Sequence, residues 1–185
     1  TSLIYQMGVE IARQCKLLGI HINFAPVIDV NSNPNNPIIN NRSFGEDQEK
    51  VGRFGTSYMR GMQDNNVLAC AKHFPGHGDT DADSHKTLPT VNHLKYRLQE
   101  VELLPYRMLI KEGLGSVMIA HLHIPSLDKT KDLAVSLSSD VVNGLLKKEM
   151  GFKGLAITDA LNMKGVSQFY DPGEVDVRAL LAGND

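Results

Sequence analysis

Residues 67–74 read VLACAKHF: five apolar side chains in a row, then Lys72 and His73, then Phe74. A strand lying on a sheet with one wet face alternates apolar and polar residues, whereas an unbroken apolar run suits a strand covered on both sides, as in parallel sheets flanked by helices. The neighbourhood agrees. A helical period runs from about Gln48 to Asn65 ahead of this run, and another from about Leu94 to Glu112 leads into SVMIAHLHI at 116–124. Upstream, Leu3, Ile4, Met7, Ile11, Cys15 and Leu18 recur at helical spacing before GIHINFAPVIDV at 19–30. Downstream, a helix from about Ser138 to Glu149 precedes GLAITDAL at 154–161. Four apolar strands thus alternate with helices, which points to parallel strands joined by right-handed crossovers. Gly19, Gly113 and Gly151 stand where those helices should end, as left-handed caps require.

Composition sets the outer limits. Lys and Arg number 19 against 21 Asp and Glu, so the balance of −2 offers no cationic excess to a polyanion, and nucleic acid is not expected as a partner. With 42% hydrophobic residues in 185 and apolar runs as short as SVMIA, no transmembrane span is expected. Cys15 and Cys70 sit among apolar neighbours and read as packed thiols, not as a disulfide scaffold. The chain begins at Thr1 inside a helical pattern, which suggests an excerpt of a longer protein whose compartment stays open.

The polar residues gather at the carboxyl ends of the apolar runs: Asp29, Lys72 with His73, His121 with His123, and Asp159. In a (β/α)8 barrel those ends and the loops after them form the active face. A doubly wound sheet would also bind at strand ends, generally with a phosphate-cradling glycine turn, and neither G-x-G-x-x-G nor G-x-x-x-x-G-K-[ST] occurs. Two long polar loops, NSNPNNPIINNRSFGED at 31–47 and PGHGDTDADSHKTLPT at 75–90, follow the first two strands, and loops of that length are usually functional.

KHFPGHGDTDADSHKTLP at 72–89, NNRSFGED at 40–47 and GLAITDALNM at 154–163 together resemble glycoside hydrolase family 3, and within it the bacterial β-N-acetylhexosaminidases. The resemblance covers nearly the whole chain. It implies a (β/α)8 barrel of which residues 1–185 are a central part of about four to five βα units, lacking strands at both ends, including an upstream one with a D-x-E-G-G-like motif. A whole barrel takes roughly 250 residues. The implied activity is retaining, exo-acting release of terminal β-linked N-acetylglucosamine, and the implied partner is a carbohydrate, with other domains of the same full-length chain as further candidates.

Residue by residue, Asp159 in ITDALNM matches the nucleophile that would form a glycosyl-enzyme ester. His85, oriented by Asp83 in ADSH, matches the acid/base. Residues two apart in an extended loop project to one side, so the carboxylate can hold one ring nitrogen while the other faces the glycosidic oxygen. Arg42, Lys72 and His73 match substrate-holding positions, and His77 in PGHGD would shape the loop or meet the acetamido side of the sugar. Gly76 and Gly78 read as hinges of that loop, at least one of His121 and His123 as structural, and Met163 as pocket wall or core.

No cofactor and no metal is expected. A rival reading takes His73, His77, Asp79, Asp81, Asp83 and His85 as a metal cluster, but Pro75 and Gly76 prevent the helix that an H-E-x-x-H site needs, and DTDADSH lacks the glycine and terminal glutamate of a calcium loop. Other functional alternatives are a β-glucosidase of the same family, a non-catalytic carbohydrate-binding barrel, and transfer of the sugar to phosphate instead of water.

Overall fold

The computed structural model describes residues 1–81, 87–171 and 173–185. Helix α1 (Ser2–Leu17) leads into β1 (Ile22–Asn23), α2 (Gln48–Gln63) into β2 (Leu68–Phe74), and α3 (Lys95–Glu100) with α4 (Leu103–Lys111) into β3 (Ser116–Ile119). A ten-residue π-type helix (Asp140–Glu149) leads into β4 (Leu155–Thr158), and α5 (Lys164–Ser167) and α6 (Glu174–Ala182) follow. The four strands are parallel and lie in chain order β1-β2-β3-β4. That order separates two architectures: a doubly wound sheet reverses direction at a switch point, whereas a barrel adds each strand beside the last. Helix α1 lies against α2 and α2 against α4, so the crossovers form one continuous layer over one face of the sheet. The arrangement is the arc of a barrel.

Burial explains the unbroken apolar runs. Every residue of β3 is buried and β2 exposes none of its seven, because helices cover one face and the side chains of the arc's interior fill the other. Gly19, Gly113 and Gly151 take φ of +72°, +84° and +70°, the left-handed values expected of helix ends.

The first strand is shorter than the apolar run suggests. Its ladder stops at Asn23 and resumes around Pro26, where Cys70 N–H donates to the Ala25 carbonyl (2.9 Å), Lys72 N–H to that of Pro26 (3.1 Å), and Ile28 N–H to that of Lys72 (2.8 Å). Proline has no N–H to give the ladder, so the pairing is interrupted there. The single helix expected over 94–112 is two, broken at Val101–Glu102. Pro105 lacks the donor for the Val101 carbonyl and its ring crowds that oxygen. Cys15 and Cys70 are free and buried, and burial pushes the Cys70 thiol up to about 11, so it stays protonated. Among the described residues no helix is long and apolar enough to cross a membrane.

Candidate active site

One buried carboxylate organises the carboxyl ends of β1 and β2. Asp29, fully buried just past the Val27–Lys72 bridge, accepts from the His73 backbone N–H (3.1–3.2 Å), from the His77 N–H (2.7 Å), and through Oδ2 from His73 Nδ1 (2.8 Å). Burial by itself would push this carboxyl up, but the charge and hydrogen bond of His73, then His77 and its amide, outweigh it and leave Asp29 below its usual value. An ionised Asp29 only accepts, so His73 carries a proton on Nδ1, and the residue lines the pocket beside it. Sequence reading puts Asp29 at the end of the first apolar run without giving it a role; a charge there, closing an otherwise apolar strand, is the signal that was available.

Thr80 and Asn36 brace His77. Its Nδ1 lies 2.7 Å from Thr80 Oγ1, and its carbonyl accepts from Asn36 Nδ2 (2.7 Å) and the Thr80 hydroxyl (3.1 Å). Burial lowers the His77 pKa against the opposing pull of Asp29. The neighbouring glycines serve close approach: a Cβ on Gly78 would stand 1.8 Å from the Val30 carbonyl oxygen, and one on Gly76 (φ +152°) 2.7 Å from Glu102 Cγ. Both are buried, and contact with the chain beneath, more than hinge freedom, demands glycine at these two positions.

A cavity of about 220 Å³ opens beside this cluster, and Arg42, Lys72, His73, His77 and Asp159 all line it, with Phe24, Ile38 and Met118 as apolar wall. Five residues from three separate loops and strand ends thus converge. Burial first, and then the Arg42 charge, push Lys72 below the ordinary lysine value, while Asp159 draws it back up. Arg42, on the turn Asn40–Arg42, is exposed and donates from Nη1 to the Ile38 carbonyl at 3.2 Å. Asp159 follows directly on β4, its N–H still bonded to the Ile119 carbonyl (2.9 Å), and its Oδ1 accepts from the Ala160 N–H at 2.9 Å. It caps no helix, since α5 begins only at Lys164 after Met163. Two cations and two imidazoles around one half-buried carboxylate suit a polyhydroxylated ligand: fixed donors for its oxygens, and one anion placed against a reacting carbon.

Asp83 and His85, the expected acid/base pair, lie outside the described residues. His121 is fully buried with Ser136 Oγ 2.8 Å from Nδ1 and the Ala160 carbonyl 3.1 Å from Nε2, which bears out a structural place for one of the two histidines after β3. Met163 is buried and does not line the cavity, so of its two readings core is the one observed. Among the described residues no group of three or more His, Cys, Asp or Glu is placed to hold a metal ion.

Residues 1–185 match the family model described as Glycosyl hydrolase family 3 N terminal domain. Beta-hexosaminidase A of Pseudoalteromonas piscicida is 40% identical over 190 residues, which cover 97% of this chain and 32% of that protein. The structure of a glycoside hydrolase family 3 β-N-acetylglucosaminidase from Paenibacillus sp. str. FPU-7 superposes with a TM-score of 0.97 at 47% identity, covering all of this chain and 35% of that one. NagZ from Neisseria gonorrhoeae, solved in complex with N-trifluoroacetyl-D-glucosamine, gives a TM-score of 0.89 at 30% identity over all of this chain and 51% of that one. The chain therefore spans between about a third and a half of these proteins.

Proposed function

The chain belongs to glycosyl hydrolase family 3 and is an arc of its (β/α)8 barrel, and from that premise we propose that the protein is a retaining exo-β-N-acetylglucosaminidase whose nucleophile is Asp159. The observation that carries the reading is the convergence of Asp159, Lys72, Arg42, His73 and His77 on one cavity at the carboxyl end of the strands. The names of the relatives, β-hexosaminidases and β-N-acetylglucosaminidases, select the substrate class. Residues 1–185 would be one part of a single catalytic barrel domain.

In the first step an Asp159 carboxylate oxygen attacks the anomeric carbon as the bond to the leaving oxygen breaks, and that oxygen takes a proton from His85. A carboxylate neighbour such as Asp83 would favour the imidazolium form of His85 that can donate. In the second step water attacks the same carbon, the neutral imidazole removes its proton, and Asp159 leaves as carboxylate. Lys72, Arg42 and His73 hold ring hydroxyls. Each bond that tightens as the ring flattens lowers the barrier, and each that is equally strong before and during reaction lowers only KM.

A panel of 4-nitrophenyl glycosides on the full-length protein tests the substrate class, and faster cleavage of the glucoside than of the N-acetylglucosaminide would assign the β-glucosidase branch instead. A slow 2- or 5-fluorinated glycoside should leave a sugar-sized mass on the peptide that contains Asp159. No adduct, with soluble protein and a working control enzyme, would favour a carbohydrate-binding barrel.

A further inference from the structure

Beyond Asp159 the sheet no longer holds the chain. The last bond to β3 is Asp159 N–H to the Ile119 carbonyl, α5 starts four residues after Ala160, and Ala160 itself is exposed. Yet Ala160 is gripped at both ends of its backbone. Its N–H donates to Asp159 Oδ1 (2.9 Å), and its carbonyl accepts from the Met163 N–H within the turn (3.0 Å) and from His121 Nε2 across from the neighbouring loop (3.1 Å). The bond to Met163 fixes the shape of the turn. The bond to His121 ties the turn to the barrel.

The rest of that tie is buried. A carbonyl only accepts, so Nε2 of His121 carries a hydrogen. Nδ1 faces the Ser136 hydroxyl at 2.8 Å, and the Ser136 carbonyl accepts from Asn184 Nδ2 (2.8 Å), which also reaches the Ala179 carbonyl at the end of α6 (2.7 Å). His121, Ser136 and Asn184 are all buried, and none of the three lines the cavity. We infer that His121 is a positioning residue for Asp159: by holding the Ala160 carbonyl, it keeps the Ala160 N–H on Oδ1 and so fixes the plane in which the carboxylate meets the sugar. The inference rests on the glycosidase reading for its effect on rate, though not for the tie itself.

Two variants of the full-length protein test it. His121→Phe keeps the ring and removes both nitrogens, whereas His121→Gln can still donate to Ala160 and accept from Ser136. In His121→Phe, kcat on 4-nitrophenyl N-acetylglucosaminide should fall about 30-fold with KM within about twofold of the parent, since a misplacement near 1 Å costs on the order of 100-fold. The rate of trapping by the fluorinated glycoside should fall in parallel, and His121→Gln should recover most of both. Wild-type kcat per trapped site in His121→Phe, or a raised KM at unchanged kcat, overturns the inference. Exchange of the Ala160 amide proton reads the tie without any turnover: it should quicken at least about tenfold in His121→Phe, and an unchanged rate also overturns it. An inactive parent sinks the glycosidase reading and leaves the exchange measurement to decide the tie. Should His121→Phe not fold, Ser136→Ala removes only the hydroxyl at Nδ1 and should show the same pattern at about threefold in kcat, with parental kcat overturning.

Discussion

The two sides of the cavity are built differently. On the β1–β2 side, Asp29, His73 and His77 are buried, and the Asp29 carboxylate takes three N–H donors from two backbone amides and one ring. The other set is Asp159 after β4, half-buried and accepting from one backbone N–H, together with half-buried Lys72 of β2 and exposed Arg42 of the turn after β1. The first side resembles a mould: its carboxylate is spent on its own N–H donors, and hydrogen bonds at Nδ1 hold the His73 and His77 rings in fixed directions. The second gathers charges of both signs around the cavity that a ligand would enter. A wall that must not move spends its polar groups on itself, and a group that must react keeps lone pairs available.

Breaking the reactive side should give the largest effect. Asp159→Ala is expected to lower kcat about 10,000-fold or more with the fold intact, the scale on which loss of a nucleophile is felt, measured as kcat on an activated aryl glycoside alongside the unfolding temperature. Next, His85→Ala should cost about 1,000-fold on a substrate with a poor leaving group and far less on a 4-nitrophenyl one, within the usual range for general acid–base catalysis. Equal losses on both would remove proton donation from its role. On the mould side, Asp29→Asn trades an acceptor-only carboxylate for an amide whose NH2 faces a donor. Leaving the buried carboxylate's donors without their acceptor in this way should cost about 3 kcal/mol of stability, read from denaturant midpoints, together with activity.

The same carboxylate gives a pH dependence of known sign. Because the folded pKa of Asp29 lies below its usual value, the unfolded chain binds the proton more readily, so the stabilisation is full above about pH 4 and is lost as pH falls through the folded value. The acid midpoint of unfolding should therefore move upward and flatten in Asp29→Asn, and an unmoved midpoint would show that the network contributes nothing. The smallest effect is expected of Arg42→Lys, which keeps the charge at an exposed position and loses the forked geometry: KM should rise about fivefold with kcat nearly unchanged.

Much of this was readable along the chain. The helix ends at Gly19, Gly113 and Gly151 follow from a local conformational demand, and the parallel arc follows from apolar runs too long and uniform for a sheet with a wet face. Both signals are local or periodic, so they survive without knowledge of partners. The five polar residues lining the cavity were legible by motif, because three short stretches match the family's residue types and spacing. Pro26 and Pro105, which interrupt a strand and a helix, were visible as residues, but their effect on the ladder depends on which carbonyl each would have bonded.

The sequence alone determined the alternation of helix and strand, the helix ends, and the set of charged residues at strand ends, since each depends on side chains within a few positions of one another. Only the tertiary structure decided that Asp29 reaches His73 and His77 across 44 and 48 residues, and that His121 grips the carbonyl beside Asp159 across 39. Those contacts exist because neighbouring strands end on the same rim, and a hydrogen bond depends on distance in space and not on separation along the chain.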